Sequence, residues 1–203
     1  MSANLKIIES GNKFGIMTLN PKVYPSNFTS SQIQESFNLS RDALGAAIGH
    51  SVADCPVLIA YDKRKKVVAI SHCGAKEINR CLPISTIDAL SKAYNSCDND
   101  IYAYISSSAS KENYLYDGYP NWAILDEVWK NRIKAINNNR YSIDLKGAIC
   151  DQLIKRNINY ENISASVIDT ISDNNFYSNY GEWLGNEEKK GRQYTGAVFV
   201  KKR

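Results

Sequence analysis

The chain has 203 residues, enough to bury a core without disulfide or metal support. Hydrophobic residues make up 43% and charged residues 23%, which excludes a disordered polar chain. A net charge of +4 is too small to argue for nucleic acid, and no apolar run reaches the roughly 18–20 residues that span a bilayer, so neither nucleic acid nor membrane is an expected partner.

The first residues, Met1-Ser2-Ala3-Asn4-Leu5-Lys6, lack the charged-then-apolar order of a signal peptide, which makes the cytoplasm the expected location. Residues 5–19 read as a hairpin: Leu5-Lys6-Ile7-Ile8, a turn at Ser10-Gly11-Asn12, then Phe14-Gly15-Ile16-Met17. Residues 20–29, with two prolines, read as loop. Ser30 or Ser31 caps an expected helix over 31–48 that uses Ile33, Phe37, Leu44, Ala47 and Ile48. Val57-Leu58-Ile59-Ala60-Tyr61 and Lys66-Val67-Val68-Ala69-Ile70-Ser71 are β-rich runs around the polar turn Asp62-Lys63-Arg64-Lys65, so they read as a buried hairpin. The basic clusters Lys63-Arg64-Lys65-Lys66 and Lys189-Lys190 read as solvated turn residues. Pro83 suits the first turn of a helix running to about residue 96. Residues 100–106 alternate as a strand. Residues 119–136 read as one or two helices carrying Trp122, Ile124, Leu125, Val128 and Trp129. Residues 144–156 form an amphipathic helix with Asp144 as cap. Ile163–Ile168 reads as a strand, 174–190 as a polar, aromatic-rich loop, and Tyr194–Val200 as the last strand. Strands and helices interleave without strict alternation, so the fold class is α+β, a layered mixed sheet with flanking helices.

Five cysteines, an odd number with no CxxC spacing, point to free thiols rather than a disulfide scaffold or a structural zinc site. The chain holds two histidines, His50 and His72, and both lie near Cys55. A turn centred near Lys63-Arg64 pairs residues whose numbers sum to about 127, placing Cys55 beside a partner near position 72, about 5 Å away between backbones. A neighbouring imidazole lowers a thiol's pKa and shuttles its proton, which makes a nucleophile. The same pair can bind zinc, with His50 as a third ligand. His50 lies five residues before Cys55, so regular strand geometry sets the two on opposite faces. Cys73, Cys81, Cys97 and Cys150 read as structural; Cys73, next to His72, faces the other way.

Val52-Ala53-Asp54-Cys55-Pro56-Val57-Leu58-Ile59-Ala60 and Val67-Val68-Ala69-Ile70-Ser71-His72-Cys73-Gly74 resemble the paired ADC-x-P-x-L and V-A-x-x-H-A-G segments of the YfiH/PgeF family. That family is also called laccase-domain or multicopper polyphenol oxidoreductase-like. Ile143-Asp144-Leu145, Phe176-Tyr177-Ser178 and Gly191-Arg192-Gln193 follow its order, and the resemblance spans about residues 45–200. It implies a layered mixed fold shared with bacterial toxin deamidases and a His-Cys-His site able to hold zinc. It also implies cleavage of purine nucleosides, or of an amino acid from a peptidoglycan precursor. On this reading residues 1–203 are one domain, with 1–48 a shortened, divergent front. The family's upstream Q-V-H-G is missing, its H-A-G-W-R-G reads His72-Cys73-Gly74-Ala75-Lys76-Glu77, and its G-P-x-I reads Ser106-Ser107-Ser108-Ala109.

Three functions compete. In the first, Cys55 is the nucleophile and His72 the base of an enzyme cleaving a C–N bond (amide, amidine or N-glycosidic) of a small metabolite. A backbone N–H near Cys55 or a serine of 106–108, Ser106 foremost, holds the oxyanion, Asp54 positions the site, and Arg192 binds an anionic group of the substrate. No cofactor is then needed. In the second, Cys55, His72 and His50 hold zinc and metal-bound water attacks, as in a purine nucleoside phosphorylase or a deaminase-like enzyme. In the third, the site no longer turns over and the protein is a binding module, whose contact surface draws on Tyr114, Tyr116, Tyr119, Tyr177 and Tyr180.

Overall fold

The structure, a computed structural model, describes residues 3–9 and 47–201. The expected turn and second strand at 10–19, the loop 20–29 and the helix from 31 to 46 lie outside them. The first strand, β1 (Ala3–Glu9), pairs antiparallel with the last strand, β10 (Gln193–Lys201). On its other side β10 pairs with β2 (Ala47–Val52), completing a sheet ordered β1-β10-β2. Residues 47 and 48, expected to end a helix, therefore open a strand. Alanine favours helix locally, but backbone pairing to β10 overrides a weak propensity.

A second sheet runs β4-β3-β5-β9. β3 (Val57–Asp62) and β4 (Val67–His72) are the expected hairpin, β5 (Ile101–Ile105) pairs antiparallel with β3, and β9 (Ile163–Ala165) pairs parallel with β5. This sheet is mixed; its β3–β4 half is buried on both faces, which is why those two strands read as unbroken apolar runs, while β5 alternates buried and more exposed residues. Val57, Ile59, Val68 and Ile70 pack with Val52 and Ala197 toward the first sheet. Leu58, Ala60, Val67 and Ala69 point into the main core. There they meet Ile78 of α1 (Ala75–Asn79), Ile87 and Leu90 of α2 (Leu82–Tyr94), and Ala148, Ile149 and Leu153 of α4 (Leu145–Lys155). Pro83 sits in the first turn of α2, and Asp144 caps α4 by accepting from the Gly147 N–H at 2.8 Å, both as expected. Cys73 is fully buried on the main-core side, facing away from His72.

The stretch 119–136 is not helical throughout. Only α3 (Asp126–Trp129) is helical, followed by β7 (Ile133–Asn137), which turns through Asn138 and Asn139 into β8 (Arg140–Ile143). The three consecutive asparagines are a turn signal that outweighs the apolar spacing before them. β6 (Leu115–Asp117) completes this third sheet, ordered β6-β8-β7. In the expected loop 174–190, α5 (Asn179–Trp183) forms instead, capped by Ser178. No helix among the described residues is long and apolar enough to cross a membrane.

Candidate functional site

The site begins at the turn of the β3–β4 hairpin. Asp62, fully buried, accepts the Arg64 and Lys65 N–H groups on one carboxylate oxygen, each at 2.8 Å, and its carbonyl accepts the Lys66 N–H at 2.8 Å. This stitched turn spans four residues, so Asp62 pairs with Val67 and His72 comes opposite Val57. The register is thus displaced by two from the one expected, and Cys55 lies beyond the pair, beside Gly74. A Cβ on Gly74 would stand 3.2 Å from Cys55 Sγ. Cys55 and His72 share one end of the hairpin but not a rung, and no hydrogen bond joins them.

Cys55 is placed by a change of sheet. Ala53-Asp54-Cys55-Pro56 carries the chain from β2 in the first sheet to β3 in the second. Asp54 makes the bend with φ at 75°, a left-handed conformation that Asp tolerates better than most residues. Its buried carboxylate accepts from Thr170 Oγ1 at 2.7 Å, Ser178 Oγ at 3.0 Å and the Tyr180 N–H at 2.6 Å. Burial nevertheless raises its pKa, with those three bonds pulling the other way. Lys189, also buried, braces the same wall by donating to the carbonyls of Thr170, Asp173 and Phe176. Asp54 therefore ties residues 170–180 to the connection that carries Cys55.

His50 and Cys55 do not share a regular strand, because the chain bends between them at 53–55. His50, opposite Thr195 on β10, looks across the inter-sheet space at His72, with ring centroids 5.8 Å apart. Burial, then the charge of His72, lowers the His50 pKa to about 4, while a hydrogen bond to the Ile70 carbonyl opposes them. Burial also lowers that of His72; Glu77 raises it and Arg192 lowers it further. Both rings are therefore neutral near pH 7, and His72 Nε2 is buried with no hydrogen-bond partner among the described residues. The Cys55 thiol is pushed up to about 11, by burial first and then by Asp54 and Glu77, with Arg192 opposing. A resting thiolate, as the sequence pairing suggested, is not what this environment makes.

Cys55 and Asp54 line a cavity of about 600 Å³ together with Tyr114, Tyr116, Tyr180 and Trp183, and Arg192 and Asp117 supply charges of opposite sign. Tyr180 packs against Trp183 with ring centroids 5.6 Å apart and planes tilted by 41°, and its hydroxyl donates to the Leu115 carbonyl. Trp183 is 70% exposed, an unusual cost for so large an apolar ring unless something covers it. Arg192, Asp54 and Cys55 are thus brought together as expected, while Ser106 is not. Its side chain is fully buried, accepts the Val57 N–H at 2.8 Å and donates to the Ser107 carbonyl at 3.0 Å, which leaves no proton for an oxyanion. Sequence reasoning missed Glu77. Its carboxylate lies 2.7 Å from the point a Gly74 Cβ would occupy, so Gly74 lets it reach over Cys55. The signal was present in the departure His72-Cys73-Gly74-Ala75-Lys76-Glu77, where the related segment ends in glycine. Trp183 was hidden inside a segment read as loop.

His50, His72 and Cys55 have the donor chemistry of a zinc site, two neutral imidazoles and a thiol. Among the described residues, however, no three His, Cys, Asp or Glu side chains converge on a position that would hold a metal ion. Two histidines in the whole chain also fall short of a multicopper cluster. Among the described residues the donor set fits neither metal centre.

A family model described as Multi-copper polyphenol oxidoreductase laccase matches residues 30–200. Among solved structures, the YfiH hypothetical protein of Bacillus licheniformis superposes with a TM-score of 0.65 at 21% identity over 79% of this chain and 60% of that one. YlmD of Geobacillus stearothermophilus gives 0.68 at 17% identity, over 79% of this chain and 59% of its own. NMB0706 of Neisseria meningitidis, of the family model DUF152, gives 0.62 at 15% identity, over 76% and 61%. The chain spans about three fifths of the length of each. At these identities the likeness shows the shared fold. None of the curated proteins matches the chain.

Proposed function

We propose that this chain, which belongs to the Multi-copper polyphenol oxidoreductase laccase family, is an enzyme that cleaves a C–N bond of a small molecule, with Cys55 as nucleophile and His72 as general base. The observation that carries this reading is the placement of Cys55. It is the one thiol in the wall of the aromatic cavity, which Arg192 also lines, and a neutral imidazole whose Nε2 has no hydrogen-bond partner among the described residues lies at the same end of the hairpin. The pair at rest is thiol plus imidazole, not thiolate plus imidazolium. Substrate binding brings the electrophilic carbon to Sγ, His72 Nε2 takes the thiol proton as the S–C bond forms, and the same proton passes to the leaving nitrogen as the C–N bond breaks. Arg192 lowers the cost of the developing thiolate and holds an anionic part of the substrate. Asp54 acts through structure, as a positioning residue for Cys55 and Tyr180. The reading calls for no cofactor, and a reducing compartment keeps all five cysteines, which are free thiols here, available.

The test is acid-quenched intact-mass analysis after mixing the protein with panels of amides, amidines and N-glycosides. A substrate-derived adduct on Cys55, absent from Cys55→Ala and depleted in His72→Gln, is the expected result. Turnover that survives Cys55→Ala refutes it. One observation favours a second reading, a pocket that binds without turnover: burial holds the thiol protonated at rest. In that case ligands bind Cys55→Ala and wild type equally and no adduct forms.

A further inference from the structure

Attack by sulfur on an amide carbon turns the carbonyl oxygen into an oxyanion, and a positioned donor for that oxygen is usually the largest single contribution to catalysis. Ser106, the sequence candidate, has spent its proton elsewhere. Two tyrosines line the same cavity as Cys55, and their hydroxyl oxygens are 3.2 Å apart. Two hydroxyls joined by one hydrogen bond hold two protons and use one, so the pair keeps one O–H free for a ligand.

Both rings are held. Tyr114 packs edge-on against Tyr116 at 5.3 Å and Tyr180 at 5.5 Å, and Tyr116 packs against Trp122 at 6.0 Å. The Tyr114 N–H donates to the Ser110 carbonyl at 2.8 Å, and its own carbonyl accepts the Ile143 N–H at 3.2 Å. Tyr116 lies in β6, paired with Tyr141. Such anchoring removes the reorganisation that makes a loose hydroxyl a poor catalyst. Burial above all raises the Tyr114 pKa above the ordinary phenol range, so its hydroxyl stays protonated near neutral pH.

We propose that the Tyr114–Tyr116 hydroxyl pair is the oxyanion donor of this site, with Tyr116 donating to Tyr114 and Tyr114 donating to the oxygen on the carbon that Cys55 attacks. The proposal rests on Cys55 being the nucleophile. For an amide, the Sγ–C bond forms, the carbonyl π pair moves to oxygen and is held by the Tyr114 O–H, and the thiol proton goes to His72. Collapse re-forms C=O, breaks C–N, sends the proton to nitrogen and leaves a thioester that water hydrolyses. Linked hydroxyls polarise each other, so Tyr116 strengthens the donor without touching substrate.

The experiment uses an aldehyde, which forms the tetrahedral adduct and cannot collapse further. Phenylacetaldehyde labelled with 13C at the carbonyl is titrated into wild type, Tyr114→Phe, Tyr116→Phe and Cys55→Ala. The hemithioacetal carbon is followed by NMR, and iodoacetamide alkylation of Cys55, which makes no oxyanion, is measured in parallel. The phenylalanine variants keep the rings and their packing. The expected result is an adduct in wild type, none in Cys55→Ala, and about tenfold or weaker capture in Tyr114→Phe, the size of one hydrogen bond to developing charge. Tyr116→Phe shows a smaller loss, and alkylation changes by less than about twofold in both, too little to match a lost bond to charge. Wild-type capture retained in Tyr114→Phe overturns the proposal while the Cys55 reading stands. So does an equal fall in capture and alkylation, which would place Tyr114 on the thiol rather than on the oxygen. An adduct absent from wild type, or present in Cys55→Ala, overturns the parent reading and this one with it.

Discussion

Replacing Asp54 by alanine removes three hydrogen bonds at once, those from Thr170, Ser178 and the Tyr180 N–H. It also leaves a β-carbon in the left-handed region at φ 75°, where only small polar residues and glycine sit without strain. The carboxylate's charge is not itself a source of stability, because burial raises its pKa despite those three bonds. The loss therefore comes from orphaned donors and backbone strain. At about 1 kcal/mol for each orphaned donor and about 1 for the backbone, and with some relief from deleting a buried charge, Asp54→Ala costs about 3 kcal/mol. Asp54→Asn keeps an acceptor for the Tyr180 N–H and accepts a positive φ, so it costs about 1 kcal/mol. Urea denaturation at neutral pH, with equal m-values for the three proteins, measures both. If Asp54→Ala loses under 1 kcal/mol, or if the two variants lose equally, the view of Asp54 as the tie between Cys55 and the 170–180 wall is wrong.

His50 is held at about 4 in the fold against an ordinary value of 6.5, so protons bind the unfolded chain more readily. Stability then falls as pH drops from about 6.5 towards 4, by about 3 kcal/mol in full; denaturation curves of wild type and His50→Gln at pH 7 and 4.5 should show the slope flattened in the variant. Trp183 is largely exposed, so Trp183→Ala changes stability by under about 0.5 kcal/mol while weakening an aromatic ligand of the cavity about tenfold or more, read by calorimetry. Because no three donors converge among the described residues, overnight chelation should leave the melting temperature and the Cys55 adduct unchanged; a fall in either after chelation would restore the metal reading.

The hairpin β3–β4 was legible because both its faces are buried, which writes two short apolar runs into the sequence. Its register was not, since the side chain of Asp62 stitches a four-residue turn centred one residue later than the charge cluster suggests, which moves every partner by two. The neighbourhood of Cys55 and His72 survived that slip, but their direct rung did not. His50 was discounted on strand parity, a rule that does not reach across the bend at Asp54, where the chain changes sheet. The first two residues of β2 and residues 133–136 of β7 looked helical because local propensity is weak against long-range pairing and, for β7, against a run of three asparagines. The cavity was least legible of all. Its tyrosines were visible as a crowd, but only the fold sets residues 114–117, 179–183 and 192 against Cys55, and no spacing in the chain encodes that meeting.

The coupling of Cys55 to His72 is the centre of the account, and it can be measured without a substrate. The rate of iodoacetamide alkylation at Cys55 is followed by mass spectrometry from pH 6 to 9 in wild type and His72→Gln, with exposed Cys97 as internal reference. With a thiol held near 11, base assistance from His72 sets the neutral-pH rate. The account therefore predicts that His72→Gln slows Cys55 about tenfold near pH 7.5 and leaves Cys97 unaffected. Equal rates at Cys55 in the two proteins would contradict it, because His72 would then take no part in the chemistry of that thiol.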